Sequence, residues 1–225
     1  MINKKKVTVI IPTRNEEGCI GSLIREIPKK YVDEIVVIDG HSTDNTREEA
    51  KGADTKTKVF LQRGWGYGGA VQQGAKHARG DILILMDADG SMNPNAIPQL
   101  LKKADEGYEY VMGSRYINGS KSEDDTIIRY IGNKFFTWLT NIIHKTNVTD
   151  SLYTYNAIPK KSFLKIKAKS KGFEYCTEIL VRAKRAGLKF AEVPAPERAR
   201  SCGKTKVNAF WHGLKILTMI LRKYD

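Results

Sequence analysis

The most constraining feature of this chain is a run of five apolar residues, 82–86, which ends in two aspartates and a glycine at Asp87-Ala-Asp-Gly90. A short continuous apolar run bounded by polar and turn residues is typical of a strand buried on both faces of a sheet. In an extended segment, residues two apart point the same way, so Asp87 and Asp89 are expected to face one crevice. The segment therefore predicts a sheet covered by helices on both sides, with two acids at a strand end.

Two carboxylates held this close repel each other unless a cation lies between them. At ~4 Å, two like charges cost roughly 1 kcal/mol in water and about 4 kcal/mol at an effective dielectric of 20. Carboxylate oxygens suit Mg²⁺ or Mn²⁺, which proteins usually share with substrate phosphates. An isolated Asp-x-Asp is most often a surface feature. Here the position after a buried strand, in an α/β pattern, favours a metal site.

Strand-like and helix-like segments alternate through the first half of the chain. We predict strands at residues 7–11, 35–38, 59–61, 82–86 and 110–112, and helices at residues 18–27, 43–53, 70–78 and 95–104. Such alternation predicts an α/β fold with a mostly parallel central sheet, whose ligands bind beyond the carboxyl ends of the strands.

The alternation breaks after about residue 113. We predict a polar loop at 118–125, an aromatic-rich helix at 127–143, an irregular segment at 150–159, a helix at 174–186, a strand at 188–193, a basic loop at 198–206 and a last helix from 207 to about 222. We expect this half to form the acceptor side of a site.

The charge balance of the 225-residue chain predicts an anionic partner. The 38 Lys and Arg exceed the 25 Asp and Glu, which gives a net charge of +13. Nucleic acid, an anionic membrane and phosphate-rich small molecules would all suit this charge. We expect no nucleic-acid partner, because no recognised module for one is present, and keep a basic nucleic-acid-binding protein as a remote alternative. No secretory signal pattern or membrane-spanning apolar stretch is found, so a cytoplasmic location is expected.

Polar residues follow the first two predicted strands at the edge where a ligand would bind. The first strand leads into Pro12-Thr-Arg-Asn-Glu-Glu17, where Asn15 and Glu16 could equally hold a ligand or cap the next helix. The second ends in Ile38 and Asp39, which places another acid at the mouth of the sheet. Asp44 fits the first turn of a helix better than a ligand, and His41 receives no role.

A glycine-rich loop, Gly64-Trp-Gly-Tyr-Gly-Gly69, follows the third strand. It matches G-x-G-x-x-G, but the dinucleotide fingerprint belongs to the first strand–helix turn, so we reject that function. The loop could let its backbone or Arg63 approach a nucleotide, and a simple flexible loop is an equal alternative.

Two basic features suit phosphate binding because a guanidinium offers phosphate a two-pronged hydrogen bond. They are Gly113-Ser-Arg115 and the loop Arg198-Ala-Arg-Ser-Cys-Gly-Lys-Thr-Lys206. The lysines within 165–171 are interpreted as a solvated charge run.

Taken together, these motifs resemble the family 2 inverting glycosyltransferases of GT-A fold, and most closely the dolichol-phosphate mannose synthase group. The resemblance runs from about residue 7 to residue 206. The motifs that carry it are Ile10-Ile-Pro-Thr-Arg-Asn-Glu16, Val37-Ile-Asp-Gly-His-Ser-Thr-Asp44, Met86-Asp-Ala-Asp89, Gly113-Ser-Arg-Tyr116, Arg129, Gly172-Phe-Glu174 with Glu178, and Arg200, Gly203 and Lys206.

The resemblance implies a metal-dependent transfer of a hexose from a nucleotide sugar, GDP-mannose or UDP-glucose, to a polyprenyl phosphate such as dolichyl phosphate. The nucleoside would be held by Pro12, Arg14, Glu16 and Asp39. Further candidates for substrate binding are Asn15, Ile38 and Arg63. Asp87, Ala88 and Asp89 would bracket the diphosphate and a Mg²⁺ or Mn²⁺ ion, with Ser91 where the family commonly has a glutamine ligand. Arg115 and Arg129 would bind the acceptor phosphate, and Arg200 with Lys206 would close over the donor.

The sequence leaves the identity of the acceptor open. The segment Asp150-Ser-Leu-Tyr-Thr-Tyr155 departs from the family pattern of Ser-Gly-Phe after the aspartate. A saccharide or protein hydroxyl is therefore an alternative acceptor.

Two stripes of apolar residues at helical spacing complete the sequence features. They comprise Ile127, Ile128, Ile131, Phe135, Trp138, Leu139 and Ile142 in one helix, and Phe210, Trp211, Leu214, Leu217 and Leu221 in the last one, with Lys215, Arg222 and Lys223 interleaved. Core packing explains most such stripes, but basic amphipathic helices also lie on membranes. We expect a catalytic domain over 1–206, an amphipathic helix over 207–225 and peripheral membrane contact.

Overall fold

A computed structural model describes residues 5–200, 209–222 and 224. The strands are β1 (Val7–Thr13), β2 (Glu34–Asp39), β3 (Thr57–Leu61), β4 (Ile82–Leu85), β5 (Tyr110–Ser114), β6 (Asn156–Pro159) and β7 (Phe190–Pro194). The helices are α1 (Ile20–Glu26), α2 (Thr46–Ala53), α3 (Tyr67–His77), α4 (Ile97–Asp105), α5 (Ile127–His144), α6 (Lys160–Ile166), α7 (Tyr175–Arg185) and α8 (Ala209–Leu221). A short 3-10 turn, Pro94–Ala96, precedes α4.

The strands form one seven-stranded sheet in the order β3-β2-β1-β4-β6-β5-β7. All neighbours pair in parallel except β6, which runs antiparallel to both β4 and β5. The predicted α/β fold is therefore confirmed, and every predicted strand and helix of the first half is present. The carboxyl ends of β1, β2, β4 and β5 meet at one edge.

The alternation of side chains along each strand builds two cores. Val7, Val9 and Ile11 of β1 face a core shared with α1, α2 and α4. Ile10 points the other way, into a core shared with α3, α6 and α7. The strand β4 is fully buried along its length, as a strand covered on both faces must be.

Two elements were missed by the sequence prediction. Residues 150–159 were expected to be irregular, but Asn156–Pro159 form β6 in the middle of the sheet. The lysine-rich segment after it was interpreted partly as a solvated charge run, but Lys160–Ile166 form α6 and bury Ser162 and Ile166. Both elements are short, and the strands that pair with β6 lie more than 40 residues earlier in the sequence.

The helices α5 and α8 pack against each other and against α7. The buried side chains of α5 are Thr137 and Thr140, whereas its apolar stripe is turned outward. We define the apolar face as the exposed side chains Ile127, Ile128, Ile131, Phe135, Trp138, Ile142 and Ile143 of α5 with Trp211, Leu214 and Leu221 of α8. Core packing therefore does not explain these residues.

Among the described residues, none of the helices has both the length and the apolar character needed to cross a membrane. The predicted boundary between residues 206 and 207 falls among residues outside the described part of the chain, and it stays a prediction.

Candidate active site

A cavity of about 460 Å³ opens at the carboxyl edge of the sheet. Seven of the predicted site residues line it: Pro12, Arg14, Glu16, Asp87, Ala88, Asp89 and Arg200. Further lining residues are Thr13, Gly40, His41, Gln62, Gly64, Trp65, Gly66, Tyr67, Ala70 and Phe173. The cavity thus joins the loops after β1, β2, β3 and β4.

The acid pair lies directly beyond β4, one residue after Met86. The strand itself ends at Leu85, so both acids belong to the following loop rather than to the strand. Both still face the cavity, as the sequence predicted. The turn behind them uses Gly90 in a left-handed conformation, with φ +79°.

The environment of Asp87 fits a bound cation. Its Oδ1 atom is buried and has no hydrogen-bond partner among the described residues. Burial, followed by the charge of Asp89, raises the pKa of Asp87 to about 7. A positive ion at this place would satisfy the orphaned oxygen and relieve the repulsion between the two acids.

Metal binding here would need help from a substrate. Within the described residues, no group of three or more His, Cys, Asp or Glu side chains is arranged to hold a metal ion. Mg²⁺ is typically held by one or two carboxylates together with substrate phosphates. The donor set of Asp87 and Asp89 therefore fits a cation that arrives with a diphosphate.

Ser91 orients Asp89. Its hydroxyl donates to Asp89 Oδ1 at 2.8 Å, and its backbone N–H donates to the same oxygen at 3.0 Å. The second carboxylate oxygen, Oδ2, lies 3.1 Å from Nη2 of Arg200. Both oxygens of Asp89 thus have a partner: Oδ1 is hydrogen-bonded within its own loop, and Oδ2 pairs with the guanidinium of Arg200 from a distant segment.

The segment that carries Arg200 is anchored on two sides. The backbone N–H of Arg198 donates to Ser91 O at 2.9 Å, and Glu197 exchanges backbone hydrogen bonds with the loop at 121–123. The Arg198 side chain donates to Asn93 Oδ1 at 2.8 Å. These contacts bring Arg200 to Asp89, and its role in closing over the donor stays a prediction. Lys206, predicted to act with it, lies outside the described residues.

The loops after β1 and β2 are tied together around the cavity. The side chain of Asn15 accepts a hydrogen bond from the N–H of Thr43, and the N–H of Asn15 donates to Ser42 Oγ. This contact answers one open alternative, because Asn15 joins two loops and does not cap α1. Glu16 lines the cavity, while its backbone carbonyl accepts from the N–H groups of Cys19 and Ile20.

Asp39 and Ile38 are buried and are not among the described residues that line the cavity. Asp39 is fully buried, and its carboxylate accepts from the N–H of Ser42 and pairs with Arg47 Nε at 3.8 Å. Ile38 belongs to a small core cluster. Asp44 accepts from the N–H of Thr46 at the start of α2, but it lies two residues before the helix, whereas the sequence predicts a position in its first turn. The substrate-binding roles of Ile38 and Asp39 stay predictions.

The glycine-rich loop is rigidly packed against a distant segment. A Cβ on Gly66 would lie 2.2 Å from Lys171 O, and one on Gly68 would lie 2.4 Å from Ser170 O. Residues 169 and 170 are in turn held by Glu178, which accepts from both of their N–H groups. This close backbone contact favours a packed loop over the simple flexible loop, which is the other interpretation of the sequence.

The glycine loop contributes an aromatic wall to the cavity. Tyr67 stacks on Phe173, with ring centroids 5.3 Å apart, and Trp65 is 69% exposed at the cavity surface. Arg63, the residue predicted from this loop, is exposed, and its N–H donates to Gln73 Oε1. It is not among the described lining residues, so its role stays a prediction.

Arg115 is buried among carboxylates. Its Nε and Nη2 atoms donate to Asp150 at 2.7 and 3.0 Å, and Nη1 donates to Glu197 at 3.2 Å. Arg115 does not appear among the described residues that line the cavity. Its predicted contact with an acceptor phosphate stays a prediction, and the geometry favours a role in holding β5 to residues 150 and 197.

Arg129 lies in the first turn of α5 and is partly exposed. Its Nη1 atom donates to Asp124 Oδ2 at 3.1 Å. The two residues before it, Ile127 and Ile128, are 80% and 81% exposed. The guanidinium of Arg129, next to this exposed apolar surface, could bind the phosphate end of an amphipathic molecule.

The lining residues that were not predicted as site residues come mainly from two places. Thr13, Gly40, His41 and Gln62 flank strand ends, so their positions beside predicted residues could have indicated them. Phe173 lies 84 residues from Asp89 in the chain, and its contact with Tyr67 has no local signal.

A comparison with known families identifies the class of enzyme to which this fold and this cavity belong. Residues 8–167 match the model of glycosyl transferase family 2, so the chain belongs to this family. It is 32% identical over 210 residues to a dolichol-phosphate mannosyltransferase of Pyrococcus furiosus, a match that covers 90% of this chain and 59% of that protein. It is 31% identical over 198 residues to the glycosyltransferase AglJ of Haloferax volcanii, with 88% of this chain and 64% of that protein covered.

A solved structure shows the same fold. Glucosyl-3-phosphoglycerate synthase from Mycobacterium tuberculosis, in complex with phosphoglyceric acid, aligns with a TM-score of 0.78 at 20% identity. The alignment covers 97% of this chain and 79% of that one. Another structure of that synthase contains Mn²⁺ and UDP-glucose. The expected GT-A fold is thereby confirmed.

Proposed function

We propose that this glycosyltransferase is a metal-dependent inverting enzyme that moves a hexose from a nucleoside diphosphate sugar to a polyprenyl phosphate. The observation that carries the proposal is the cavity in which Asp87 and Asp89 lie together with Arg200 at the carboxyl edge of the sheet. Two acids and a guanidinium at one place suit a diphosphate with its cation.

The donor is proposed to lie between the loops after β1, β2 and β3 and the acid pair. Pro12, Arg14 and Glu16 supply one wall, and Asp39 shapes the neighbouring turn from behind. GDP-mannose and UDP-glucose are the two donors to test, since one relative is a mannosyltransferase and the related synthase is seen with UDP-glucose.

Mg²⁺ or Mn²⁺ is proposed to be held by Asp89 and Asp87, with Ser91 positioned to orient Asp89 or to complete the site. Such a cation would supply electrostatic stabilisation of the diphosphate leaving group. Arg200 would add a second positive charge on the same side, at the place where negative charge develops.

The polyprenyl phosphate acceptor is supported by the surroundings of Arg129. The exposed isoleucines beside it offer an apolar surface to an isoprenoid chain, while the guanidinium can bind the phosphate. In the transfer, a phosphate oxygen of the acceptor attacks the anomeric carbon from the face opposite the diphosphate. The bond from that carbon to the diphosphate oxygen breaks, and its electron pair stays on the diphosphate. No proton needs to be removed, because the acceptor phosphate is already anionic.

The test offers radiolabelled donors to the wild-type protein with dolichyl phosphate and Mn²⁺, followed by partition into organic solvent. We expect label in the organic phase with one of the two donors. Asp89→Asn should reduce this transfer by at least about 100-fold, since it removes a charge that faces the developing diphosphate. Label that stays in the aqueous phase with both donors would contradict the lipid acceptor.

A hydroxyl acceptor is the second candidate. It is supported by the fold that this chain shares with glucosyl-3-phosphoglycerate synthase, and by the residues after Asp150, which depart from the family pattern. This reaction would need a carboxylate to take the proton of the hydroxyl. Adding phosphoglyceric acid or a saccharide to the assay tests this function, provided that the labelled aqueous product is separated from the unreacted donor, which also stays in water.

Peripheral membrane contact is proposed to occur through the apolar face, where Lys215 is also exposed. Each basic residue near anionic lipid is worth about 1 kcal/mol. Wild-type protein should co-sediment with anionic liposomes at low salt, and Trp138→Lys should weaken the binding. Leu164→Lys is the matched control, because Leu164 is exposed on α6 and outside the apolar face. Equal effects of the two substitutions would count against docking by this face.

A further inference from the structure

A single carboxylate, Asp124, joins the donor side of the site to the acceptor side. Its Oδ2 atom lies 3.1 Å from Nη1 of Arg129 and 3.7 Å from Nη2 of Arg200. The same Nη2 atom of Arg200 lies 3.1 Å from Asp89 Oδ2. Four charges of alternating sign therefore run from the acid pair to the first turn of α5.

The geometry gives Arg200 a choice between two acids. With its guanidinium on Asp89, the arginine neutralises a carboxylate that a divalent cation would need. When a cation binds Asp89, like charges repel and Arg200 must move away from it. Asp124 is the acid to which Arg200 can move, because it already lies within ion-pair distance of the same nitrogen.

Arg129 competes for this second position. It donates to both Asp124 Oδ2 and the Asp124 backbone carbonyl, at 3.1 and 3.2 Å. A phosphate that draws Arg129 away would leave Asp124 free to hold Arg200 more strongly. The position of Arg200 is thus linked to events at the start of α5.

We propose that Asp124 is a positioning residue that couples the two sides of the site by holding Arg200 off Asp89 when a cation binds. This inference rests on the proposed function, since it assigns Arg200 and Asp89 to the donor and Arg129 to the acceptor. Asp124 itself touches neither substrate and acts through the two arginines.

The test measures binding of Mn²⁺ alone by electron paramagnetic resonance, so that it needs neither donor nor acceptor. Asp124→Asn should weaken Mn²⁺ binding about five-fold, because Arg200 then has only Asp89 to pair with. Coupling between contacting residues spans roughly 2- to 150-fold, and the partial exposure of this pair places the effect near the low end. In an Arg200→Gln background, the same Asp124→Asn substitution should change Mn²⁺ affinity by less than two-fold.

Glu123→Gln is the matched control for charge. Glu123 is the neighbouring residue and loses the same charge, but its carboxylate accepts from the N–H of Ala199 and forms no ion pair with either arginine in the described part of the chain. We expect it to leave Mn²⁺ affinity within two-fold of the wild type. Asp124→Glu, which keeps the carboxylate, should restore most of the affinity lost in Asp124→Asn.

The outcomes separate this proposal from the proposed function. If Mn²⁺ binds, but Asp124→Asn weakens it equally with and without Arg200, the effect is simple long-range charge and the coupling is refuted. If the wild-type protein shows no saturable Mn²⁺ binding, the proposed metal site is refuted and the coupling through Asp89 falls with it. A loss that needs Arg200 and is absent in Glu123→Gln supports the proposal.

Discussion

The contact between the glycine loop and Lys171 leads to a prediction with an internal control. Gly66 and Gly64 have nearly the same left-handed φ, +85° and +89°. They differ in space: a Cβ on Gly66 would lie 2.2 Å from Lys171 O, whereas a Cβ on Gly64 would meet nothing within 4 Å. Gly66 also has a ψ of 153°, a combination that glycine adopts far more readily than other residues, so Gly66→Ala combines a conformational cost with the collision, whereas Gly64→Ala tests a positive φ without the collision.

The expected magnitudes follow from these two terms. An alanine at positive φ costs about 1–2 kcal/mol in the left-handed helical region, and the extended ψ of Gly66 makes the cost there no smaller. The added methyl group of Gly66→Ala also collides with a backbone carbonyl, and overpacking of this kind costs about 1–3 kcal/mol more. Gly64→Ala should lower the free energy of unfolding by about 1–2 kcal/mol and Gly66→Ala by about 2–5 kcal/mol.

Urea unfolding, followed by circular dichroism, measures both variants against the wild type. Gly52→Ala serves as a positive reference, because Gly52 lies within α2 with nothing within 4 Å and alanine should stabilise a helix there by about 0.5–1 kcal/mol. The collision should also displace Trp65 and Tyr67, so the nucleotide should bind more weakly to Gly66→Ala than to Gly64→Ala. Equal destabilisation by the two substitutions would refute the close packing of this loop.

Three further predictions concern charge and the aromatic wall. Burial raises the pKa of Glu178, but the hydrogen bonds from Ser170 and Arg182 outweigh it and leave the pKa below its usual value. The stabilisation that Glu178 gives the folded protein is therefore complete above about pH 4.5 and is lost as the pH falls through the folded pKa. In urea unfolding measured from pH 6 to pH 3, Glu178→Gln should reduce the loss of unfolding free energy at acid pH. Nucleotide binding should quench the fluorescence of Trp65, and this quenching should vanish in Trp65→Phe. Liposomes should instead shift the emission of the two tryptophans in the apolar face. Nucleotide quenching that survives Trp65→Phe would place the nucleotide elsewhere. Arg115→Met should cost about 3–5 kcal/mol of unfolding free energy because it leaves a buried acid unpaired, and a loss below about 1 kcal/mol would contradict the buried pairing.

The fold was largely predictable because most of its sheet is built from local patterns. Residues 82–86 are apolar without interruption, and a strand with both faces covered needs nothing else. The exception, β6, has only four residues and ends in a proline, and it is a strand because β4 and β5 pair with it from both sides. No local pattern contains that information.

The donor side of the site was predictable for a related reason. Parallel strands bring their carboxyl ends to one edge, so acids that follow β4 and polar residues that follow β1 must meet. The contacts that lock the glycine loop were not predictable, because they depend on backbone atoms at residues 170 and 171, about 100 residues further along the chain. A glycine-rich sequence is compatible with a packed loop and with a flexible loop, so the sequence does not distinguish them.

The two arginines assigned to the acceptor show what decides a role that residue type leaves open. Arg115 and Arg129 carry the same group, and both follow elements at the correct edge of the sheet. Arg115 is buried, and Asp150 and Glu197 occupy its guanidinium with hydrogen bonds of 2.7–3.2 Å. To bind a phosphate, Arg115 would have to break a buried, desolvated ion pair. The free-energy cost of breaking such a pair is higher than that of breaking a solvent-exposed pair. Among the described residues, Arg129 has one acid partner, and it lies beside exposed isoleucines. A phosphate with an apolar tail can therefore reach it by replacing a single partly exposed ion pair. Transfer kinetics with Arg129→Gln should therefore show a raised KM for the acceptor with stability nearly unchanged, whereas loss of Arg115 should be felt first in folding.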